Sequence, residues 1–248
     1  MGPLGGGWGA KRDEDGVSGT VCINDGDTHN SPREQLETKY PLLIERYALI
    51  PDSGGPGLHR GGLGCETVVR ALTDVTLNAS IDRAHCLPWG LMGGLEGTGN
   101  QVLVRRGPDW ETDRPNAKVL TVQLKKGDAY SLRSGGGGGF GSPLERAPES
   151  VRDDVRQGYV SLAAARDYYG VVLDADTLAI DEPATAVERA ALAPTHQRRI
   201  AEQKAPVRRL TAEEMSGKAA EHPPVPCLRI SCCGMVSFPF LDEDELSS

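Results

Sequence analysis

Three groups of chemistry-bearing residues stand out in this 248-residue sequence. Asp25, Asp27 and His29 occupy every second position of NDGDTHN. On an extended strand they would project from one face, and two carboxylates with an imidazole can hold a divalent metal. The calcium-loop pattern is not met, for want of a glycine at its sixth position and an acid at its twelfth. The same residue types also build a solvated turn. His85 and Cys86 are neighbours with Asp82 nearby, but a Cys–His nucleophile needs spatial adjacency. Beside Pro88-Trp89-Gly90 the pair reads as a packed turn. His222, Cys227, Cys232 and Cys233 are zinc-ligand types, yet the adjacent cysteines are not C-x-x-C and no second pair completes the set.

The run Gly135 to Gly139, then Phe140-Gly141, contains G-x-G-x-x-G at Gly136, Gly138 and Gly141. In a dinucleotide site such glycines let the backbone approach a pyrophosphate at a helix N-terminus. Here Ser142-Pro143 intervenes before any helix, and no strand ending in an acid follows about 20 residues later. The chain has no G-K-[ST]. The favoured reading is a structural turn or flexible loop, with nucleotide binding as the alternative.

The elements that must position these groups fall into two parts. Of 31 glycines, 27 precede residue 146. There they punctuate short apolar runs, as in a turn-dense β fold. Strands are predicted at 17–24, 41–50, 61–72, 75–82, 101–106, 117–124 and 128–133. Thr73-Asp74 makes a tight turn, and Lys125-Lys126-Gly127 a hairpin. Pro88 to Asn100 is an apolar, glycine-broken loop. After residue 146 the period changes. Pro148 suits a first helical position and Gly158 the residue past the end. Ser161 caps the next helix, which stops at Gly170. Short helices are predicted at 183–193 and 195–204, and Thr211 with Glu214 spaces as a capping box. The fold class is α+β: a glycine-rich, mainly antiparallel β unit followed by a short helical C-terminal part. The expected regions are 1–146 (β-rich), 147–193 (helical) and 194–248 (linker and acidic-ended tail).

Composition narrows the function classes. The formal charge is −8, from 27 basic and 35 acidic residues. That balance argues against nucleic acid or an anionic membrane as the main partner. Aromatics are 5%, too few for a stacking platform under single-stranded nucleic acid. No run of about 18 apolar residues exists to span a membrane. The opening MGPLGGGWGAKR lacks the apolar core of a secretory leader, and the isolated Cys22, Cys65 and Cys86 read as free thiols. The expected compartment is the cytoplasm.

Several unusual strings occur in one order. They are GGGWGA (5–10), NSPREQLETKYP (30–41), ERYALIPDSGGPGLHRGGLG (45–64), DR (82–83), PWGL (88–91), KVLTVQLKKGD (118–128), GGGGGFGSPLER (135–146) and VRQGYVSLAAARDYYGVVLD (155–174). Together they resemble the hydantoinase B/oxoprolinase family over roughly residues 5–180. The resemblance implies a subunit for ATP-dependent hydrolysis of a cyclic amide: hydantoin, 5-oxoproline or a related lactam. It implies a hetero-oligomer with a hydantoinase A-type subunit that holds ATP and Mg. Phosphorylating the amide oxygen turns a poor electrophile into one that water can attack. Related complexes carboxylate ketones such as acetone or acetophenone, and a truncated non-catalytic fragment is a third reading.

B-type subunits of the family are longer, and the likeness is to their C-terminal portion. MGPL running straight into GGGWGA reads as a start inside a larger protein. A divalent metal and most of the acidic and histidine residues tied to catalysis are expected in the N-terminal half. Family members commonly carry asparagine-threonine where this chain has Asp27-Thr28. The resemblance places Asn30, Pro32, Glu34 and Glu37 on one family string. Asp52, Gly54, Gly55, Arg60, Gly61, Gly62 and Gly64 fall on a second, and Arg83, Pro88, Trp89 and Gly90 on a third. Glu34, Glu37, Arg60 and Arg83 are the candidate catalytic or interface groups, with ion-pair or turn support as the alternative for each. Asp25, Asp27 and His29 remain the metal candidates.

Overall fold

A computed structural model describes residues 5–21, 31–111 and 117–204. In chain order the elements are α1 (Arg33–Lys39), β1 (Leu42–Leu49), β2 (Cys65–Ala71), β3 (Val75–Ser80), β4 (Gln101–Arg106), β5 (Asp109–Glu111), β6 (Lys118–Leu124), β7 (Ala129–Arg133), α2 (Pro148–Arg156), α3 (Leu162–Tyr169) and α4 (Glu182–Lys204). The architecture is α+β with antiparallel pairing in both sheets. One sheet has the order β1-β2-β7-β4-β5, and the other pairs β3 with β6. Alternation sends Val69 and Ala71, Val102 and Val104, and Tyr130 to one face of the larger sheet. They pack there with Leu77, Val119 and Leu124 of the smaller one. Burial pushes the Tyr130 hydroxyl up to about 12. A second core joins Val151 of α2 to Val160, Ala165, Tyr169 and Val171 around α3.

Two turns differ from expectation. Thr73-Asp74 and Lys125-Lys126-Gly127 do not close hairpins, because each links a strand of one sheet to a strand of the other. They are sheet-switching corners, which lets consecutive strands face each other across the core. The corners are bonded to each other: Asp74 accepts from the Lys126 N–H at 3.1 Å, and Gly127 N–H donates to the Ala71 carbonyl at 2.8 Å.

The glycine run differs more. Gly136 to Gly139 are buried, so 135–139 is neither a flexible loop nor a turn. A Cβ on Gly136 or Gly139 would strike the backbone of Ser53 or Pro56. On Gly135 or Gly138 it would strike Thr98 or Trp89, and on Gly137 it would strike Trp8. Gly136 and Gly139, three residues apart, therefore face the same segment, 53–56, a spacing that matches the repeat of polyproline II. That helix makes no internal hydrogen bonds, so its buried polar groups must find partners in neighbouring chains. They do so in steps of three: Gly7 N–H donates to Gly135 O at 3.1 Å, and Ala10 N–H donates to Gly138 O at 2.8 Å. Gly137 N–H reaches Gly62 O and Gly139 N–H reaches Leu95 O, both at 2.9 Å. Glycine permits this spacing because nothing but backbone fits between the chains.

The bundle absorbs two predicted strand segments. Residues 61–64 pack in it, so β2 begins at Cys65. The expected strand from 17 contributes only a bridge between Thr20 and Gly6, because Gly19 turns at φ 63°. The rest of that strand, 22–24, lies outside the described residues, as do Asp25, Asp27, His29, Asn30, the 211–214 capping box and the 222–233 cluster.

The later helices follow their signals. Pro148 opens α2, Ser161 accepts from the Ala164 N–H at the start of α3, and Gly170 ends α3 at φ 62°. α4 is one helix through Pro194 rather than two. α1 and the short β5 have no counterpart among the predicted elements. The cue for α1 is its charge order, with Glu34 in the first turn and Lys39 in the last. Among the described residues no helix is long and apolar enough to cross a membrane.

Candidate functional site

A cleft of about 710 Å³ opens between the glycine bundle and the helices. Its walls come from three places: the 52–56 turn, the 87–98 loop, and α3 with the end of α4. The ionisable groups lining it are Asp52, Glu96, Tyr168, Tyr169 and Arg199, with Trp89 and Thr98 beside them. The volume is in the range of small-molecule sites.

Asp52 is built into the wall. Its backbone is left-handed, at φ 60°. Its N–H donates to Tyr159 O at 3.0 Å, and its Oδ1 accepts from the Ser161 N–H at 2.7 Å. Ser161 Oγ accepts in turn from the Ala164 N–H at 3.1 Å. One chain of bonds thus fixes the turn against the first turn of α3. Next to it Ser53, fully buried, accepts from the Gly64 N–H at 2.9 Å and donates to Ile50 O at 2.6 Å.

Behind the Tyr169 wall lies a buried charge cluster. Arg146 donates to both oxygens of Asp15 at 2.8 Å and to Leu58 O at 2.9 Å, and its Nη2 stands 2.9 Å from Asp154 Oδ2. Arg60 Nε is 3.5 Å from Asp154 Oδ1, and its guanidinium lies 5.2 Å from the Tyr159 ring centre. Burial pushes Asp15 up, but Arg146 and Arg60 outweigh it and hold the carboxyl below its ordinary value. At Asp154 burial wins over the same two arginines, and the carboxyl is raised. Burial also raises the Tyr169 hydroxyl. His196, one turn before Arg199 on α4, is buried; burial first and Arg199 second lower its imidazole.

The four candidate catalytic groups do not meet in the cleft. Glu34 is exposed on α1. Glu37 accepts from the Ile44 N–H of β1 at 2.7 Å. Arg60 belongs to the buried cluster. Arg83, at φ 62°, points its Nε to Cys86 O at 3.5 Å, and its carbonyl accepts from the Asn100 N–H. Other members of the same strings do line the cleft: Asp52 and Gly54 from one, Trp89 and Gly90 from another. Glu96 and Arg199 carry no family string. A signal for Glu96 exists, since it is the single acid between Asp82 and Asp109, set in an apolar glycine loop. Among the described residues no group of three or more His, Cys, Asp or Glu could hold a metal ion.

The sequence profile of the Hydantoinase B/oxoprolinase family matches residues 1–143. The chain belongs to this family. It is 31% identical over 168 residues to the putative B-type subunit of a D-/L-hydantoinase from Pseudomonas sp. (strain NS671), covering 68% of this chain and 28% of that one. It is 36% identical over 194 residues to the beta subunit of the caprolactamase of Pseudomonas jessenii, covering 75% and 32%. The crystal structure of the ATP-dependent caprolactamase from that organism superposes with a TM-score of 0.66 at 30% identity, over 75% of this chain and 33% of that one. Acetone carboxylase in its nucleotide-free structure gives a TM-score of 0.66 at 27% identity, over 78% and 30%. The chain therefore spans about a third or less of the length of these relatives.

Proposed function

We propose that this chain is the C-terminal part of a B-type subunit for ATP-dependent hydrolysis of a cyclic amide, working in the cytoplasm. The observation that carries the reading is the meeting of two family strings, at 52–54 and 89–90, in one cleft of small-molecule size. The hydantoinase and caprolactamase relatives supply the reaction class. Both relatives are named as subunits, which supports a hetero-oligomer.

The glycine run does not suit a nucleotide. Backbone N–H groups of the glycine run, at Gly137 and Gly139, are spent on Gly62 and Leu95, so they cannot cradle phosphates. Following the family resemblance, ATP and Mg are assigned to an A-type partner subunit, and a divalent metal to parts of the enzyme beyond the described residues. Glu34, Glu37, Arg60 and Arg83 stay as candidate positioning or interface groups, and Asp25, Asp27 and His29 as candidate metal ligands.

The likeness to acetone carboxylase favours a second reading, a ketone carboxylase subunit. Both are tested by assaying the A-type partner with and without this chain. Ring opening of 5-oxoproline, hydantoin or caprolactam that needs this chain supports the hydrolase. Carboxylation of acetone with bicarbonate instead supports the carboxylase. No change with any of these substrates makes the chain a non-catalytic fragment.

A further inference from the structure

The cleft carries both signs of charge. Asp52, one of whose oxygens is held by the Ser161 N–H, and Glu96 line it from the bundle side, and Arg199 lines it from α4. The Trp89 ring stands in the same wall, and an aromatic face attracts an ammonium group. A guanidinium selects a carboxylate by paired N–H donors. A ligand with one end of each sign would satisfy all of them.

Hydrolysis of an uncharged lactam such as caprolactam makes such a molecule. Water adds its oxygen to the acyl carbon and the ring C–N bond breaks. The amide N–H with both water protons becomes an ammonium, and the acyl carbon becomes a carboxylate. One neutral ring yields one zwitterion. A hydantoin opens differently: it releases a carboxylate and a neutral urea, which would leave the two carboxylates of the cleft without a cation.

We infer that the cleft binds the ring-opened ω-amino acid as a zwitterion, its carboxylate on Arg199 and its ammonium between Asp52 and Glu96 beside Trp89. This rests on the cyclic-amide reading and narrows it to uncharged lactams, since 5-oxoproline already carries a carboxylate and opens to a dicarboxylate. Glu96 and Arg199 become specificity-determining residues, and the 87–98 loop with the end of α4 becomes the frame that sets their separation.

The test is a titration of the full 248-residue chain, alone or with its partner subunit, using calorimetry or NMR. The probes are 6-aminohexanoate, hexanoate, hexylamine and N-carbamoylglycine. The expected result is saturable binding of 6-aminohexanoate, with each single-charge probe and the carbamoyl acid about tenfold weaker or worse. Glu96→Gln and Arg199→Gln should each weaken 6-aminohexanoate about tenfold. Circular dichroism of both variants should match the parent, since Glu96 is exposed and Arg199 is only partly buried. Equal binding of hexanoate, insensitivity to both variants, or no saturation by about 10 mM overturns the inference. The two readings fail separately. Ring opening that persists while 6-aminohexanoate does not bind removes only the cleft assignment. Binding without any ring opening removes the activity and leaves the zwitterion site.

Discussion

Arg146 clasps Asp15 through two hydrogen bonds of 2.8 Å, across 131 residues of chain. The pair fastens the N-terminal segment of the glycine bundle to the start of the helical part. Arg189 of α4 extends the clasp by donating to the Arg146 carbonyl at 2.6 Å and the Tyr169 carbonyl at 3.2 Å. The cleft stands in front of this cluster, with Tyr169 between them.

Removing one member leaves buried charge behind. Arg146→Met should destabilise the chain by about 3–5 kcal/mol, because Asp15 and Asp154 lose their main partner. Asp15→Asn combined with Arg146→Met should cost less than the sum of the two alone. Urea unfolding measures both. A loss under about 1 kcal/mol for Arg146→Met would show that the cluster does not hold the two parts together.

The cluster also sets a pH response. Asp15 has a lowered folded value, as do Glu45 and Glu66 beside their arginines, against the upward push of burial. Such groups stabilise the fold at pH above their ordinary values, 3.8 for Asp and 4.5 for Glu. That stability is lost as pH falls through the depressed folded values. Asp154 is raised and acts in the opposite direction: its contribution is full below 3.8 and is lost as pH rises through its folded value. Asp15→Asn should therefore flatten the acid side of the stability curve, and Asp154→Asn should steepen it. Unfolding midpoints between about pH 2 and pH 7 decide this, with the Asp15 effect confined to the acid end, and identical slopes for both variants would contradict it.

Glycines of the bundle should differ sharply in tolerance. Gly137→Ala places a methyl into the Trp8 backbone, where no side chain can yield, and should abolish cooperative folding. Gly9→Ala meets only Gly138 O at 3.8 Å, an ordinary contact. It should shift stability by no more than about 0.5–1 kcal/mol, in either direction. Thermal melts of the two variants settle it, and a well-folded Gly137→Ala would refute the close three-residue packing.

Open sheet edges predict association. Among the described residues β1 and β5 end one sheet, and β3 and β6 each keep an unpaired side. Leu120 on β6 is 76% exposed. Such edges recruit other chains, so the isolated chain should self-associate. Leu120→Lys should shift it toward monomer in light scattering. A monodisperse parent monomer would contradict the prediction.

The strands and α2 and α3 are legible in the sequence because local signals decide them: alternation, Pro148, Ser161 and Gly170. The pairing is not, because the corners at Thr73-Asp74 and Lys125–Gly127 have hairpin chemistry yet switch sheets. Gly135–Gly139 reads as a loop because a polyproline II strand leaves no period in a sequence made only of glycine. Of the cleft, Asp52 and Trp89 are legible through the family strings. Glu96 and Arg199 are not, since 103 residues separate them in the chain and only tertiary packing brings them to one cleft.

The most direct measurement of the central claim is coupled turnover. The A-type partner is supplied with ATP and 5-oxoproline or caprolactam, first without and then with this chain, and both phosphate and ring-opened product are followed. The account predicts that product forms only with the chain present, and that each product molecule accompanies ATP hydrolysis. If the chain changes neither signal while a full-length B-type subunit restores both, the cleft reports ancestry and packing rather than activity.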